Sequence, residues 1–284
     1  MAGAADLRAP SNAWTGVAGR NDAHLQYGCW SDRGCSGSQI YACQELARSG
    51  GRKVLGDRAR GQGRAPGAVH MSPWPPKAGG GPLRLGILLS GRGSNFKAIA
   101  NSIHEGRLKG VEIAVVISNV AEAAGLAFAR ESGFKTALFA SKGRRREEHD
   151  ADVADCLRAH QVDLVCLAGY MRLLSPEFIA AFPNRILNIH PSLLPAFPGL
   201  DAQQQAFDYG VKVAGCTVHF VDEQLDHGAI VLQRAIPVLE SDDAHSLADR
   251  ILAEEHIAYS QAIARVASGE YEVRGRRYLR RSRT

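Results

Sequence analysis

Asn188, His190 and Asp226 are the residues whose types and spacing could carry out acyl-group chemistry. Asn188 and His190 lie two apart in an apolar run over residues 185–190, and side chains two apart on a strand point to the same face. Two prolines within five residues of His190 forbid a regular helix and predict a loop there. An amide can bind a developing oxyanion, an imidazole can move a proton, and a carboxylate can stabilise an imidazolium. The three residues therefore predict acyl transfer without a covalent nucleophile.

Each of these residues also has a structural interpretation when it is taken alone. A single histidine near a core strand is more often a packed residue than a reactive one. Asp226 lies in the polar segment 222–228, where aspartate ordinarily forms a turn. The occurrence of His190 and Asp226 together with Asn188 favours the catalytic interpretation.

A second polar segment follows the first predicted strand and opens a helix. Its glycines allow close approach of the backbone, and free amides at the start of a helix favour an anion. We predict a phosphate site at these residues: Gly91, Arg92, Gly93, Ser94 and Asn95. The segment is neither a dinucleotide fingerprint nor a P-loop. A plain strand-to-helix turn capped by Ser94 or Asn95 is therefore an equally supported interpretation.

Alternating strand and helix patterns begin near Leu83. Apolar segments typical of buried strands alternate with helical spacing, and the strands cover residues 84–89, 111–117, 136–139, 164–168 and 186–189. This alternation predicts an α/β fold with a doubly wound, mostly parallel, Rossmann-like sheet. Residues 214–221 and 230–236 lie too close in sequence for an intervening helix, so they predict an antiparallel pair. A helix over about residues 243–267 would close the domain.

The chain divides by composition into three parts. Residues 1–80 lack a sustained period and predict a low-complexity, disordered leader. Translation starting at Met71 would omit residues 1–70 of it. Residues 81–272 predict one domain. Residues 273–284 form a basic tail, which is interpreted as a solvated terminus because no aromatic platform for RNA accompanies it. Removal of this tail after Glu272 should then change turnover little.

Composition narrows the class of protein. The formal net charge of +5 belongs to the leader, since residues 81–284 hold as many acidic as basic side chains. No apolar run is long enough to span a bilayer, no secretory signal is evident, and the six cysteines form no Cys-x-x-Cys pair. We expect a cytoplasmic monomer or homodimer that binds small molecules, with no metal, no membrane and no specific nucleic acid.

Five ordered segments between Leu83 and Tyr271 resemble the glycinamide ribonucleotide formyltransferase family. They read LGILLSGRGSNFKAI, LAGYMRLLSPEF, NIHPSLLPAFPGLDA, GCTVHFVDEQLDHG and ILAEEHIAY. The resemblance implies the formyltransferase fold and a role in purine biosynthesis. It further implies that a formyl group passes from 10-formyltetrahydrofolate, as co-substrate, to the amine of glycinamide ribonucleotide.

The resemblance also implies roles for single residues. Asn188 would hold the formyl oxygen, His190 would act as the proton-moving and electrostatic residue, and Asp226 would orient it. Residues 91–95 would receive the ribonucleotide phosphate, and Glu255 would hold its sugar. The folate pocket would be lined by the backbone of residues 221–226 and by Arg146, Met171, Arg172, Leu173, Leu174 and Asn188. Without the resemblance, the apolar members of this set would be interpreted as core packing.

The sequence departs from the commoner family pattern at Asp201 and Gln203, where histidine occurs in other members, which leaves the role of that helical turn open. Methionyl-tRNA formyltransferase would need a further C-terminal domain beyond Tyr271. Formyltetrahydrofolate deformylase would need a regulatory α/β domain, for which residues 1–80 lack the alternation. Two alternatives to the transferase stay open, a formyltetrahydrofolate deformylase and a non-catalytic ligand-binding homologue.

Overall fold

The structure, a computed structural model, describes residues 81–282, so the predictions for the leader over residues 1–80 lie outside the described residues. The described strands are β1 (Leu83–Leu89), β2 (Val111–Ser118), β3 (Thr136–Leu138), β4 (Leu164–Leu167), β5 (Ile186–His190), β6 (Val213–Phe220), β7 (Ile230–Pro237), β8 (Tyr271–Arg274) and β9 (Arg277–Arg280). The described helices are α1 (Ser94–His104), α2 (Ala124–Glu131), α3 (Arg146–Ala159), α4 (Pro176–Ala181), α5 (Ala202–Tyr209) and α6 (Ala244–Ala267).

The strands form one sheet in the order β3-β2-β1-β4-β5-β6-β7-β9-β8. The first five strands of the chain pair in parallel, and β6 is antiparallel to both β5 and β7. The predicted doubly wound, mostly parallel sheet with an antiparallel pair is therefore confirmed.

The central strand β1 is buried on both faces of the sheet. Leu85 and Ile87 pack into the core cluster shared with α1, α2 and α6, whereas Leu88 packs into the cluster shared with α3 and α4. A Cβ at Gly86 would lie 2.4 Å from Cδ2 of Leu157, so α3 packs directly against the strand backbone at this glycine. The near-continuous apolar sequence of β1 follows from this double burial.

The chain leaves β1 for β2 and β3 on one side and then returns to β4 on the other. Ligands of open α/β sheets bind at such a reversal, beyond the carboxyl ends of the strands. Two loops meet here, because the Ser90 amide donates a hydrogen bond to the Gly169 carbonyl at 3.0 Å. The topology therefore places the glycine segment after β1 beside the loop after β4.

The prediction of a solvated tail from residue 273 is wrong for most of that segment. Strands β8 and β9 form a hairpin, and β9 pairs with β7 at Ile230 and Arg277. Val273 and Tyr278 pack against the core. The arginines drew attention to charge, but in β8 the apolar residues Tyr271 and Val273 alternate with charged ones at the period of a strand, and Gly275 supplies the positive φ of the turn.

Two short helices were not predicted from the sequence. The six-residue α4 begins at a proline, and the Ser175 hydroxyl caps it by accepting the Phe178 amide at 3.2 Å. The eight-residue α5 follows Asp201, whose φ of 54° lies in the left-handed region. Both helices are too short to show a clear helical period.

In the part of the chain that the structure describes, every helix is either too short or too polar to cross a membrane.

Candidate active site

The centre of the site lies between β5 and β6. Asn188 pairs with His219 across these antiparallel strands, and the Asn188 Nδ2 atom lies 3.4 Å from Nε2 of His219. His190 stands two residues further along β5 and shares the face of Asn188, as the strand period predicts. His190 is almost fully buried, whereas Asn188 is partly exposed and can reach a bound molecule.

Asp226 joins this centre from the loop between β6 and β7. Its Oδ2 atom lies 3.4 Å from Nδ1 of His190 and accepts the Gly199 amide at 2.8 Å. Its Oδ1 atom lies 3.7 Å from Nε2 of His219. The structure therefore brings Asn188, His190 and Asp226 together, and it adds His219, which sequence reasoning missed.

The two imidazoles have different hydrogen-bond surroundings. The Nε2 atom of His190 lies 2.8 Å from the Phe197 carbonyl and Nδ1 faces Asp226, so both nitrogens meet acceptors. Only the imidazolium form has a proton on each nitrogen. The Nδ1 atom of His219 lies 2.8 Å from the Phe220 carbonyl, and burial lowers the pKa of His219, which favours the neutral ring. In that tautomer Nε2 accepts a hydrogen bond from Asn188.

The loop after β5 is fixed by polar side chains from β6 and β7. The Thr217 hydroxyl donates to the Ser192 carbonyl at 2.6 Å and accepts the Leu194 amide at 3.0 Å. The Gln233 amide nitrogen donates to the Leu194 carbonyl at 2.9 Å. These bonds hold the backbone that carries the Phe197 carbonyl against His190.

The glycine segment after β1 turns into α1 through a left-handed residue. Gly93 precedes α1 with a φ of 67°, and no side chain among residues 81–282 caps this helix. The interpretation of Ser94 or Asn95 as a plain cap is therefore wrong. A Cβ on Gly93 would lie 2.9 Å from the Cα of Gly125, at the start of α2, so the two glycines let the helix starts approach each other. The Gly125 amide donates to the Gly91 carbonyl at 3.0 Å.

Glu255 reaches this segment from α6. Nδ2 of Asn95 donates to Oε2 of Glu255 at 2.7 Å, and Oδ1 of Asn95 is buried without a hydrogen-bond partner among the described residues. One turn later, the Tyr259 hydroxyl lies 3.1 Å from the Leu167 carbonyl and 3.0 Å from the Leu187 carbonyl. Tyr259 thus fixes α6 to the last residue of β4 and to Leu187 in β5. These contacts set the position of Glu255, one turn earlier in the helix.

Replacing Glu255 with glutamine should remove a pH dependence of stability. Burial raises the pKa of Glu255 from 4.5 to about 7, although the bond from Asn95 opposes the shift. The unfolded chain releases this proton at lower pH, so stability should fall by roughly 3 kcal/mol as pH rises from about 4.5 to about 7. The variant should therefore gain stability relative to the parent at pH 8 and be similar to it at pH 4.5, measured by urea unfolding. Exposed Glu131→Gln is the control, and parallel profiles for Glu255→Gln and the parent would contradict the assignment.

The predicted folate loop is attached to the glycine segment through Ser90. Its hydroxyl accepts the Met171 amide at 2.8 Å and donates to Oδ1 of Asn119 at 2.6 Å. Met171 and Leu173 are 74% and 63% exposed, so their interpretation as core residues is wrong. Leu174 does pack against the core.

The remaining predicted residues are placed less tightly. Nε of Arg172 is buried without a hydrogen-bond partner among the described residues. Arg146 begins α3, where it is exposed and lies 3.8 Å from Glu147. Asp201 directly precedes α5, and Gln203 lies in its first turn. Among residues 81–282, neither side chain forms a hydrogen bond or an ion pair with the Asp226 carboxylate.

A second residue that sequence reasoning missed is Asp150, which is buried in α3. Its Oδ2 atom accepts the Ser175 amide at 2.7 Å, and its Oδ1 atom lies 3.1 Å from Nδ1 of His149. Asp150 thereby fixes the end of the loop after β4. In residues 81–282, no group of three or more His, Cys, Asp or Glu side chains is arranged to hold a metal ion.

This fold and this site define a formyl transferase. A family model described as "Formyl transferase" matches residues 83–263, which include the predicted catalytic centre, the glycine segment and Glu255 and end before the hairpin. The chain belongs to the formyl transferase family, and its relatives place it among the phosphoribosylglycinamide formyltransferases.

Two curated relatives and one solved structure show this placement. The phosphoribosylglycinamide formyltransferase of Escherichia coli is 38% identical over 192 residues, which cover 67% of this chain and 90% of that protein. The crystal structure of glycinamide ribonucleotide transformylase 1 from Symbiobacterium toebii has a TM-score of 0.68 and 52% identity, and the match covers 70% of this chain and 94% of that one. The trifunctional purine biosynthetic protein adenosine-3 of Drosophila melanogaster is 43% identical over 189 residues, or 66% of this chain. This match spans only 14% of the trifunctional protein.

Proposed function

We propose that this chain transfers the formyl group of 10-formyltetrahydrofolate to the amine of glycinamide ribonucleotide, in de novo purine biosynthesis. The observation that carries the proposal is the cluster of Asn188, His190 and Asp226, in which the Asn188 amide is partly exposed. Family membership supports the same assignment.

In this proposal the amine nitrogen attacks the formyl carbon directly. The bond from that carbon to N10 of the folate then breaks, and a proton passes from the amine to N10, so no acyl-enzyme forms. The Asn188 amide donates to the formyl oxygen, which gains negative charge during the attack. The His190 imidazolium stabilises that charge and takes part in the proton transfer, while Asp226 stabilises its charged form. His219 receives a hydrogen bond from Asn188 and so orients the amide.

The ribonucleotide would lie along the start of α1. Its phosphate would accept bonds from the backbone amides over residues 91–95, and the exposed guanidinium of Arg92 adds positive charge there. Glu255 would accept a bond from a sugar hydroxyl, and the unpartnered Oδ1 of Asn95 would accept another. A ligand with hydroxyl groups explains why these polar atoms are buried side by side.

The folate would bind against the loop after β4 and the loop between β6 and β7. The exposed side chains of Met171 and Leu173 offer apolar surface for its rings, and the backbone over residues 221–226 offers amides and carbonyls. The buried Nε of Arg172 offers a donor. Arg146 and Leu174 would lie at the edge of this pocket.

The proposal is tested by following tetrahydrofolate formation by the full chain, with and without glycinamide ribonucleotide. Release that requires the ribonucleotide supports the transferase. Release without it overturns the transferase in favour of the deformylase. No release in either condition, from a protein with a cooperative unfolding transition, overturns it in favour of a non-catalytic binding protein.

We further propose that the catalytic domain, predicted over residues 81–272, extends through the C-terminal hairpin to Arg280. The sheet supports this boundary, because β9 pairs with β7. A cytoplasmic location, a monomer or homodimer, and a start of translation at Met71 stay predictions.

A further inference from the structure

Residues 221–229, the Asp226 loop, join β6 to β7 and carry Asp226. Asp226 has a φ of 49°, in the left-handed region that side chains other than glycine rarely adopt. Such a conformation persists only where the surrounding structure fixes it. The contacts that hold this loop therefore determine where the Asp226 carboxylate lies.

Part of the Asp226 loop is held from within. Oδ1 of Asp222 accepts the Gln224 amide at 3.0 Å, and Oδ2 of Asp222 lies 2.9 Å from Nδ1 of His227. A Cβ on Gly228 would lie 1.9 Å from the Phe220 carbonyl oxygen, so the ends of the loop approach at a distance that only glycine allows. These contacts close the loop, but they do not attach it to the rest of the molecule.

Besides the Gly199 amide, which donates to the Asp226 carboxylate, Arg276 in the turn of the C-terminal hairpin attaches the loop to the rest of the molecule. Its Nη1 atom lies 2.5 Å from Nε2 of His227, and its Nη2 atom donates to the His227 carbonyl at 2.7 Å. Arginine has no acceptor, so Nε2 of His227 must accept and Nδ1 must carry the proton that is donated to Asp222. One guanidinium thus holds both the ring and the backbone of the residue that follows Asp226.

The hairpin also contacts the strands on either side of the Asp226 loop. Tyr278 packs edge-on against Phe220, the last residue of β6, with ring centroids 5.5 Å apart. Arg277 pairs with Ile230, the first residue of β7. Arg276 therefore approaches the loop from a support that is fixed at both of the loop's ends.

We infer that the C-terminal hairpin, Tyr271–Arg280, positions the Asp226 carboxylate by means of the fork that Arg276 forms on His227. Arg276 is a positioning residue, because it acts through His227 and touches neither reacting group. The inference rests on the proposed function, in which Asp226 stabilises His190. It reverses the expectation that removal of residues after Glu272 would change turnover little.

The test compares Arg276→Ala and His227→Ala with Arg274→Ala. Arg274 lies in the same hairpin but forms an ion pair with Glu272 at 2.5 Å within it, which makes it a matched control. The two test variants should lower kcat by about 2- to 30-fold and change the KM for the ribonucleotide little. Arg276→Lys should recover only part of the loss, because an ammonium group cannot form the two-pronged contact. Arg274→Ala should stay within twofold of the parent.

The double variant of Arg276 and His227 shows whether the two residues act as one unit. Its loss of kcat should equal that of the larger single variant rather than the product of the two losses. A multiplicative loss, or kcat values within twofold of the parent in both single variants, would overturn the inference. Equal losses in the Arg274→Ala control would also overturn it.

A readout that does not depend on turnover separates this inference from the proposed function. Amide hydrogen exchange across the Asp226 loop should become faster in Arg276→Ala and stay unchanged in Arg274→Ala, while exchange in β1 stays slow in both. This result would uphold the positioning of the loop even if the parent transferred no formyl group. Unchanged exchange in the Asp226 loop would overturn the positioning even if the parent were an active transferase.

Discussion

Replacing Asp226 with asparagine should lower kcat for formyl transfer by about 10²- to 10⁴-fold, while the KM values of both substrates change little. The carboxylate is 8% exposed and lies 3.4 Å from Nδ1 of His190, where the proposed mechanism has it stabilise the imidazolium. An amide has a similar shape but no charge, so it removes that stabilisation from the stage at which charge develops. Asparagine also tolerates the left-handed conformation of this position, so the backbone should persist.

The measurement is steady-state kinetics at saturating concentrations of both substrates. Asp208→Asn is a matched control, because this carboxylate is exposed on α5 and its only described side-chain partner is Gln204. The control should keep the kcat of the parent. A kcat close to that of the parent in Asp226→Asn would contradict the role given to this carboxylate.

Replacing Asn188 with alanine should lower kcat by about 10²- to 10³-fold, which is the usual effect of removing one donor to a developing oxyanion. In the described centre, the Asn188 amide is the partly exposed polar group that can donate to the formyl oxygen. Its second N–H is directed at Nε2 of His219. Alanine removes the donor to the formyl oxygen, and it also removes the hydrogen bond that Asn188 donates to Nε2 of His219. The loss should appear in kcat, since the bond is strongest when the oxygen carries negative charge.

The kinetic experiment for Asn188→Ala has its own control in Asn101→Ala, at an exposed position of α1. This variant should behave like the parent. If Asn188→Ala raised the KM of the folate substrate and left kcat unchanged, the amide would bind the ground state alone. That outcome would remove Asn188 from the proposed oxyanion site.

The sequence predicted the catalytic face of β5 for a local reason. The relation of Asn188 to His190 depends only on the two-residue period of a strand, which neighbouring residues reveal. His219 could not be found in this way, because its place opposite Asn188 is set by the register between β5 and β6. An alternation of polar side chains on β6, with Thr217 and His219 on one face, was the available signal.

The glycine segment illustrates a second limit on prediction from sequence. Its letters are compatible with a turn that a side chain caps and with an uncapped turn, and the structure shows an uncapped turn in which Gly93 lies close to Gly125. These glycines are thirty-two positions apart, at the starts of two different helices. Their approach depends on how α1 and α2 pack on the sheet, which no local pattern contains.

The hairpin illustrates a third limit. It holds four arginines among ten residues, so the segment was interpreted by its charge as a solvated tail. Two contacts order the segment instead: Tyr278 packs against Phe220, and Arg276 donates to the His227 carbonyl. Both partners lie about fifty residues earlier in the chain, so the segment becomes an ordered element only in the presence of the folded domain.

The sheet ends on each side in a short strand, and this has a consequence for concentrated solutions of the protein. Strand β3 has three residues and β8 has four, and Glu272 and Arg274 place charges on β8. An unpaired edge can recruit the strand of another molecule, but short and charged edges offer few backbone groups for such pairing. The two ends of this sheet therefore disfavour edge-to-edge aggregation, even though nine strands hydrogen-bond in one continuous layer within residues 81–282.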